Sequence, residues 1–293
     1  MRIDDPVAEW PPLAGRAGIN LMAWSATIGP AELALLPQLA ELGYACVELP
    51  LLAPETVDTG AARRACEAAG LACTASSALP RGASLLDPAE RKAGIAFLAR
   101  CAAAAAECGA TILCGPLYTP VGQLPGRPRT PAEWQSCVEG LRAAGDRAAA
   151  FGVTLAIEPL NRFETHFLNT LDDAARLLDE VAHPAVALHP DTFHMNIEEK
   201  QLSKAIRRAA RHIRHIHLSE NDRGSLGTGH VDWAGVRDAL RTIGYRGWLV
   251  AETFSGRIPE LAAATAIWRP VVADGWTYAR ESLDFLRRLD ATS

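Results

Sequence analysis

Amphipathic and alanine-rich stretches alternate along this chain with short apolar runs, and glycine marks the junctions. Gly43, Gly70, Gly109, Gly152 and Gly244 each close a helix-like segment, and strand-like runs follow at 45–49, 71–76, 111–114, 153–157 and 248–251. Glycine lacks the Cβ that penalises a left-handed residue, so it is favoured just past a helix C-terminus. Helix starts are marked as well. Asp87-Pro88-Ala89-Glu90 and Thr130-Pro131-Ala132-Glu133 each supply a capping residue, a proline at the first helical position and a glutamate at the third. Thr170-Leu171-Asp172-Asp173 and Asp232-Trp233 offer further starts. The alanines at 102–106, flanked by Ile95, Leu98 and Leu113, predict a helix packed close on a sheet rather than a low-complexity segment.

The pattern predicts strands at 16–24, 45–49, 71–76, 111–114, 153–158, 186–191, 213–217 and 248–252. Helices are expected near 31–42, 56–69, 88–108, 131–151, 170–182, 198–210, 233–243 and 275–289. Such repeated alternation predicts the α/β class and a single closed (β/α)8 TIM barrel. A doubly wound open sheet is the alternative, but no Gly-x-Gly-x-x-Gly follows the first strand. No linker-like shift in composition divides the chain, which reads as one barrel domain over 1–293 with 1–15 as an N-terminal extension.

Composition narrows the class of function. Hydrophobic residues make up 49% and charged residues 22% of 293, which suits a large buried core and excludes a mainly disordered chain. Lys and Arg number 29 against 34 Asp and Glu, a net charge of -5. With no basic stretch either, a nucleic-acid partner held by a positive field is not expected. The 7 cysteines are odd in number and form no Cys-x-x-Cys pair. They predict buried, reduced thiols in a cytoplasmic protein rather than disulfides or a metal cluster. The start of the chain, with Asp4, Asp5 and Pro11-Pro12, lacks the basic and apolar regions of a secretory leader. No run of about 18 apolar residues suggests a membrane span.

The last four expected strands each end in a potential metal ligand. Glu158 ends Thr154-Leu155-Ala156-Ile157-Glu158, and Asp191 ends Val186-Ala187-Leu188-His189-Pro190-Asp191. His217 ends Ile213-Arg214-His215-Ile216-His217, and Glu252 ends Trp248-Leu249-Val250-Ala251-Glu252. The C-terminal strand ends of a barrel form one rim, so these side chains are expected to converge. Grouped carboxylates repel unless a proton or cation compensates. Three carboxylates and one imidazole suit a divalent metal such as Mn²⁺, Co²⁺ or Mg²⁺ better than a structural zinc, which favours thiolates. One acid at a strand end is commonly a solvated edge group; four candidate ligands on consecutive strands weaken that reading.

Three segments then carry a resemblance: Glu158-Pro159-Leu160-Asn161-Arg162-Phe163-Glu164, Asp191-Thr192-Phe193-His194-Met195-Asn196-Ile197-Glu198, and His217-Leu218-Ser219-Glu220-Asn221-Asp222-Arg223. They resemble the ketose 3-epimerases, the D-tagatose and D-psicose (allulose) 3-epimerases of the xylose-isomerase-like TIM barrel superfamily. Gly227-x-Gly229-x-x-x-Trp233, Gly244-Tyr245-x-Gly247 and Trp268-Arg269 extend the likeness, which covers about 150–290 well and the first half only in layout. The resemblance implies a metal-dependent sugar epimerase that interconverts ketoses at C3, by deprotonation and reprotonation through a metal-bound cis-enediolate. It implies Glu158, Asp191, His217 and Glu252 as ligands of a divalent metal, Mn²⁺ foremost with Co²⁺ or Mg²⁺ as alternatives. Glu164, His194 and Arg223 are then binders of the substrate's polar groups near its carbonyl. Glu158 and Glu252 become the two catalytic acids that exchange a proton with the inverting carbon. The partner expected is a small-molecule ketose, in a homodimer or homotetramer, with no nucleic acid and no membrane.

The first half departs from the family, which places aromatic side chains there to cover the sugar. The candidate positions are Asn20, Met22, Trp24, Glu48, Leu117 and Tyr118, with the Gly- and Pro-rich segment 115–128 expected as a lid on the rim. Glu48 reads equally as a hydrogen-bond partner of a sugar hydroxyl or as a buried acid paired with a first-strand group. Asn161 and Arg162 read as support for the site or as surface residues, and His183 and His189 as helix-end or core histidines. Arg127 and Arg129 are weak phosphate candidates in a solvated loop. Trp268 and Trp276 suit an interface or the outer helices. A hydroxypyruvate isomerase-like enzyme, an inosose dehydratase or a C-glycoside-cleaving enzyme would share the barrel and metal; Arg223 and His194 favour the epimerase. A DNA-repair endonuclease of the related barrel type would need a three-metal cluster and a basic groove. A non-catalytic sugar-binding barrel would have lost a ligand or an acid.

Overall fold

The computed structural model describes residues 10–292, so positions 1–9 of the expected N-terminal extension lie outside the described residues. Eight parallel strands form the sheet: β1 (Ala17–Asn20), β2 (Cys46–Pro50), β3 (Ala72–Ser76), β4 (Ile112–Gly115), β5 (Thr154–Ile157), β6 (Val186–Leu188), β7 (Ile216–Leu218) and β8 (Leu249–Ala251). Their order is β6-β5-β4-β3-β2-β1-β8-β7, so the first strand pairs with the eighth as a barrel requires. The ring is completed between β6 and β7 by isolated parallel bridges, Leu188 to Ile213 and Asp191 to His217. The second bridge joins two candidate metal ligands directly.

The helices are α1 (Pro30–Leu33), α2 (Leu36–Leu42), α3 (Thr59–Ala69), α4 (Arg91–Cys108), α5 (Pro131–Ala149), α6 (Leu171–Val181), α7 (Thr192–Glu198), α8 (Leu202–Ala209), α9 (Trp233–Thr242), α10 (Pro259–Thr265) and α11 (Gly275–Ala291). Most follow the expected alternation. Gly43 and Gly109 end α2 and α4 in the left-handed conformation, at φ +113° and +92°. In α4, Cys101, Ala102 and Ala105 are buried, so the alanine run does pack flat against its neighbours. Thr130 and Glu133 form the expected reciprocal cap of α5: the Glu133 amide donates to Thr130 Oγ1 (3.2 Å), and the Thr130 amide donates to Glu133 Oε2 (2.6 Å).

Several boundaries differ for local reasons. The helix expected from 88 begins at Arg91, because Asp87 closes a preceding turn instead. The Ala89 amide donates to Asp87 Oδ1 (2.8 Å), while Glu90 turns away to accept from the Ser84 amide (3.0 Å). The first strand ends at Asn20, whose Oδ1 accepts from the Met22 amide (2.9 Å) and starts a 3₁₀ turn. The helix expected over 198–210 is α8, which begins at Leu202, and α7 and α10 are helices that the pattern did not predict. Asp191 starts α7 by accepting from the Phe193 amide (2.8 Å). Strands five, six and eight end before Glu158, Asp191 and Glu252, leaving those carboxylates on rim backbone just past the ladder.

Residues 10–16 pack on the opposite end of the barrel. Trp10 Nε1 donates to the Tyr245 carbonyl (2.8 Å), and the Leu13 and Ala14 amides donate to Asp290. All 7 cysteines are free, and all but Cys73 are buried. No helix among the described residues is long and apolar enough to cross a membrane.

The α5 cap supplies a stability prediction. Glu133 is held down to about 2 by its hydrogen bond from Arg127, against the cost of burial and with help from Thr130. A carboxyl depressed in the folded state stabilises fully above its ordinary value of 4.5, and that contribution is lost as pH falls through about 2. Glu133→Gln is therefore expected to cost about 1 kcal/mol at pH 7, with the gap to the parent protein narrowing on acidification. Equal denaturant midpoints at pH 7 would contradict this account of the cap.

Candidate active site

Strand-end geometry brings the four expected ligands together. The Glu158 amide donates to the Gly115 carbonyl (3.0 Å), the His217 amide to Pro190 (2.9 Å) and the Glu252 amide to Leu218 (3.0 Å), so each is fixed by its neighbour in the ring. Glu158, Asp191, His217 and Glu252 are all buried, and their donor atoms lie within 4.8 Å of one another. Glu158, His217 and Glu252 line a cavity of ≈ 290 Å³ together with Arg223, His194 and Glu164. All seven residues singled out in the sequence thus belong to one site, although Asp191 stands behind the cavity wall.

Arg223 ties the group together. Its Nη1 donates to Asp191 Oδ2 (2.7 Å), Glu252 Oε2 (2.8 Å) and Ser219 Oγ (2.9 Å), and its guanidinium is stacked between Phe193 and Phe254. Its backbone is left-handed at φ +65°, which a non-glycine residue adopts only when its surroundings hold it there. They do: the Arg223 amide donates to the Glu220 carbonyl (3.0 Å), and Thr253 Oγ1 donates to the Arg223 carbonyl (2.6 Å). Glu220 organises this loop. Its carboxylate accepts from Trp233 Nε1 (2.9 Å) and from the Gly227 (2.8 Å) and Val231 (3.1 Å) amides. A Cβ at Gly229 would stand 2.6 Å from Glu220 Oε1, which gives the Gly227-x-Gly229-x-x-x-Trp233 run its physical reason.

Asn161 aligns two of the substrate-binding candidates. Its amide donates to His194 Nδ1 (3.1 Å) and its Nδ2 to Glu164 Oε1 (2.7 Å). A backbone N–H can only donate, so His194 Nδ1 accepts, while Nε2 lies between Arg223 Nη2 at 3.2 Å and Glu158 Oε1 at 3.5 Å. Burial and the Arg223 charge push His194 down to about 3, with Asp191 opposing, so the ring is neutral near pH 7. Arg162 instead forms a surface ion pair with Glu198 (2.8 Å).

The carboxylates are not equivalent. Burial, then the charges of Asp191 and Glu252, push Glu158 well above the ordinary range. Burial acts the same way on Asp191, but Arg223, His194 and His217 outweigh it and hold that carboxyl low. Burial would lower His217, yet Glu252 and Glu48 raise it well above an ordinary histidine. The crowding of negative charge thus favours a proton on Glu158 and is offset by the positive charge of Arg223. His217 Nδ1, 3.1 Å from Glu252 Oε1, makes no hydrogen bond. An unpaired imidazole nitrogen among three carboxylates fits a divalent cation, and these residues could hold one.

Glu48 is the contributor that its position in sequence left undecided. It is 0% exposed and lies beneath the site, paired with the first-strand Asn20 rather than facing a sugar. Asn20 Nδ2 donates to both Glu48 Oε1 and Glu252 Oε1, at 3.0 Å each. His217 Nε2 donates to Glu48 Oε1 (2.6 Å), which fixes the tautomer and leaves Nδ1 facing the carboxylates. His215 Nε2 and Thr74 Oγ1 donate to Glu48 Oε2 at 2.7 and 3.0 Å. The signal was present: histidines two apart on one strand share a face.

Other first-half expectations divide. Met22 lines the cavity, but Trp24 packs edge-on against Trp276 instead. Leu117 and Tyr118 are buried away from it, with Tyr118 Oη donating to the Glu158 carbonyl (3.0 Å). The expected lid contributes Pro116, Pro120 and Val121 to the wall and is tied down where the Gly122 amide donates to the Glu164 carbonyl (2.8 Å). Arg127 and Arg129 are engaged by Glu133 and Asp173. His183 pairs with Asp146, and His189 is a core residue.

Comparison with known proteins agrees with this layout. A family model described as a xylose isomerase-like TIM barrel matches residues 36–289. The chain is similar to a ketose 3-epimerase of Arthrobacter globiformis, 37% identical over 84% of this chain and 86% of the relative. It is similar to an L-ribulose 3-epimerase of Mesorhizobium japonicum, 35% identical over 92% and 93%. Among solved structures, a D-allulose 3-epimerase from Methylomonas sp. in complex with D-allulose superimposes with a TM-score of 0.88, at 31% identity over 95% of this chain and 98% of the other.

The buried support under His217 makes a direct prediction. Glu48→Gln is expected to weaken binding of Mn²⁺ roughly 10- to 100-fold, the usual effect of losing the carboxylate behind a ligating histidine. Calorimetric titration of the chelator-stripped protein checks it, and an unchanged affinity would remove Glu48 from the site.

Proposed function

This chain belongs to the ketose 3-epimerases of the xylose isomerase-like TIM barrel family, and from that premise we propose that it inverts C3 of a free pentulose or hexulose with the help of a divalent metal. It is an epimerase, an enzyme of the isomerase class. The observation that carries the reading is the convergence of Glu158, Asp191, His217 and Glu252 beside a small cavity that also presents Arg223, His194 and Glu164. At ≈ 290 Å³ that cavity lies at the small end of ligand sites and suits a monosaccharide. Relatives named for L-ribulose and D-psicose support the same size class.

In this reading Glu158, Asp191, His217 and Glu252 hold the cation, with Mn²⁺ preferred to Co²⁺ and Mg²⁺. When bound, the cation polarises the ketose carbonyl and raises the acidity of the neighbouring C–H. The chain supplies the rest. His194 and Arg223 bind substrate oxygens at the carbonyl end, and Glu164 accepts from a hydroxyl. One of Glu158 and Glu252 takes the C3 proton, leaving a planar cis-enediolate on the sugar. The other returns a proton to the opposite face, and the roles exchange with the direction of reaction. Their strands, β5 and β8, lie on opposite sides of β6 and β7 in the ring, which supports placing one acid on each face of the sugar. Met22, Leu160, Phe254 and Leu261 line the cavity and limit water at the enediolate.

The same reading takes the chain as one catalytic domain in a reducing, cytoplasmic setting, supported by the continuous ring of strands and by thiols that are all free. A homodimer or homotetramer is proposed with it, for which the exposed Phe163 and Trp268 offer apolar surface.

Two outcomes are expected. Glu158→Gln and Glu252→Gln should each lower exchange of the C3 proton in D₂O roughly 10²- to 10⁴-fold, the worth of a positioned acid or base. NMR of a ketose panel reads this directly, and deuterium entering at C1 rather than C3 would mark an aldose–ketose isomerase instead. Chelation should abolish turnover, and Mn²⁺ or Co²⁺ should restore it; full activity in metal-free protein would reject the metal-assisted reading.

A further inference from the structure

Behind the rim carboxylates lies a second group of buried ligand atoms. Cys114, His189, His215 and His217 each place one such atom within 4.8 Å of the others, and all four residues are buried. They come from β4, from the residue after β6, and from β7 and the residue before it. Their donors are sulfur and nitrogen, whereas the rim offers three carboxylates and one imidazole. His189 is 0% exposed, yet neither of its ring nitrogens has a hydrogen-bond partner. His215 Nδ1 has none either. A buried polar atom left unpaired costs about 1–3 kcal/mol, so one nitrogen of each of these two rings is left for an ion to bind. The His189 ring centre stands 4.0 Å from that of His217 and 5.1 Å from that of His215. Glu48 borders the group, with Oε2 3.3 Å from Cys114 Sγ and 2.7 Å from His215 Nε2.

We propose that Cys114, His189 and His215 form a second cation site, distinct from the rim set, that takes a thiophilic divalent cation such as Zn²⁺, with the Glu48 carboxylate beside it. The donor types fit: thiolate and imidazole select zinc-like cations, while the carboxylate-rich rim selects harder ones. Charge fits too, because the Cys114 thiolate and the neighbouring Glu48 carboxylate together offset a divalent ion. On loading, the Cys114 S–H bond is replaced by a sulfur–metal bond and its proton passes to solvent. The imidazoles bind through neutral lone pairs, and nothing is oxidised or reduced. His217 is not a ligand here, since its Nε2–H is given to Glu48. The ion would fasten β4, β6 and β7 from inside, directly behind the rim. No Cys-x-x-Cys spacing announces such a site, because its ligands come from three strands.

Co²⁺ titration of the full-length, chelator-stripped protein tests this. Two equivalents per chain are expected, one of them giving a thiolate-to-cobalt charge-transfer band in the near ultraviolet. Cys114→Ser should lose that band and one equivalent. Glu158→Gln should weaken the other equivalent and keep the band, which separates this site from the rim reading. Titration without a sulfur band, or a band that survives in Cys114→Ser, overturns the proposal. Should Cys114→Ser fail to fold, zinc-edge X-ray absorption of the zinc-loaded parent protein decides. A sulfur neighbour at about 2.3 Å supports the site, and a shell of nitrogen and oxygen alone overturns it.

Discussion

Three carboxylates held within 4.8 Å of one another and away from water are the constraint around which this barrel is organised. Like charges at such distances in a poorly solvated site cannot all persist uncompensated. The surrounding side chains can be understood as responses to that fact. Arg223 is forced into a left-handed conformation and donates to two of the acids at once. His217 takes positive charge between Glu252 and Glu48, and Glu158 is driven towards its protonated form. In the proposed function a divalent cation would replace these partial remedies with one and free Arg223 and Glu158 for substrate. The same constraint gives the site its chemistry, because a charge that relieves carboxylate repulsion also stabilises negative charge developing on a sugar.

The two halves of the chain divide the work. The second half supplies the rim donors, the loop that carries Arg223 and the helix α7 that carries His194, and a candidate ligand stands at or just past the end of each strand there. The first half supplies support from below, through Asn20, Glu48 and Thr74, together with much of the apolar wall. Glu48 links the halves: a carboxylate on β2 fixes the tautomer of a histidine on β7. Substrate choice is therefore expected to follow the walls around Met22, Leu52, Leu79 and Val121, and proton chemistry the rim.

Much of this was legible in sequence because barrel geometry is repetitive. Glycine at helix ends and apolar runs at regular spacing reveal strand count and order, and strand ends predict a shared rim. Hence Glu158, Asp191, His217 and Glu252 could be grouped before any coordinates. Less legible was anything that depends on side chains crossing the barrel interior. Glu48 could be marked as unusual, but its bonds to His215 and His217 span more than 160 positions. Glu220 looked like one acid in a motif, whereas it is the hub that shapes the Arg223 loop. The turn at Asp87 was misread because a capping residue can close a turn as readily as start a helix, and α7 was missed because Asp191 caps a helix directly behind its strand. Tyr118 was an aromatic in the right region, but it is fully buried, with its hydroxyl bonded to the Glu158 carbonyl.

Anomalous diffraction from crystals grown with Mn²⁺ tests the central claim most directly. The account predicts a strong manganese peak at the barrel mouth, in bonding contact with Glu158, Asp191, His217 Nδ1 and Glu252. A rim without a peak, or manganese bound only elsewhere on the molecule, would contradict it.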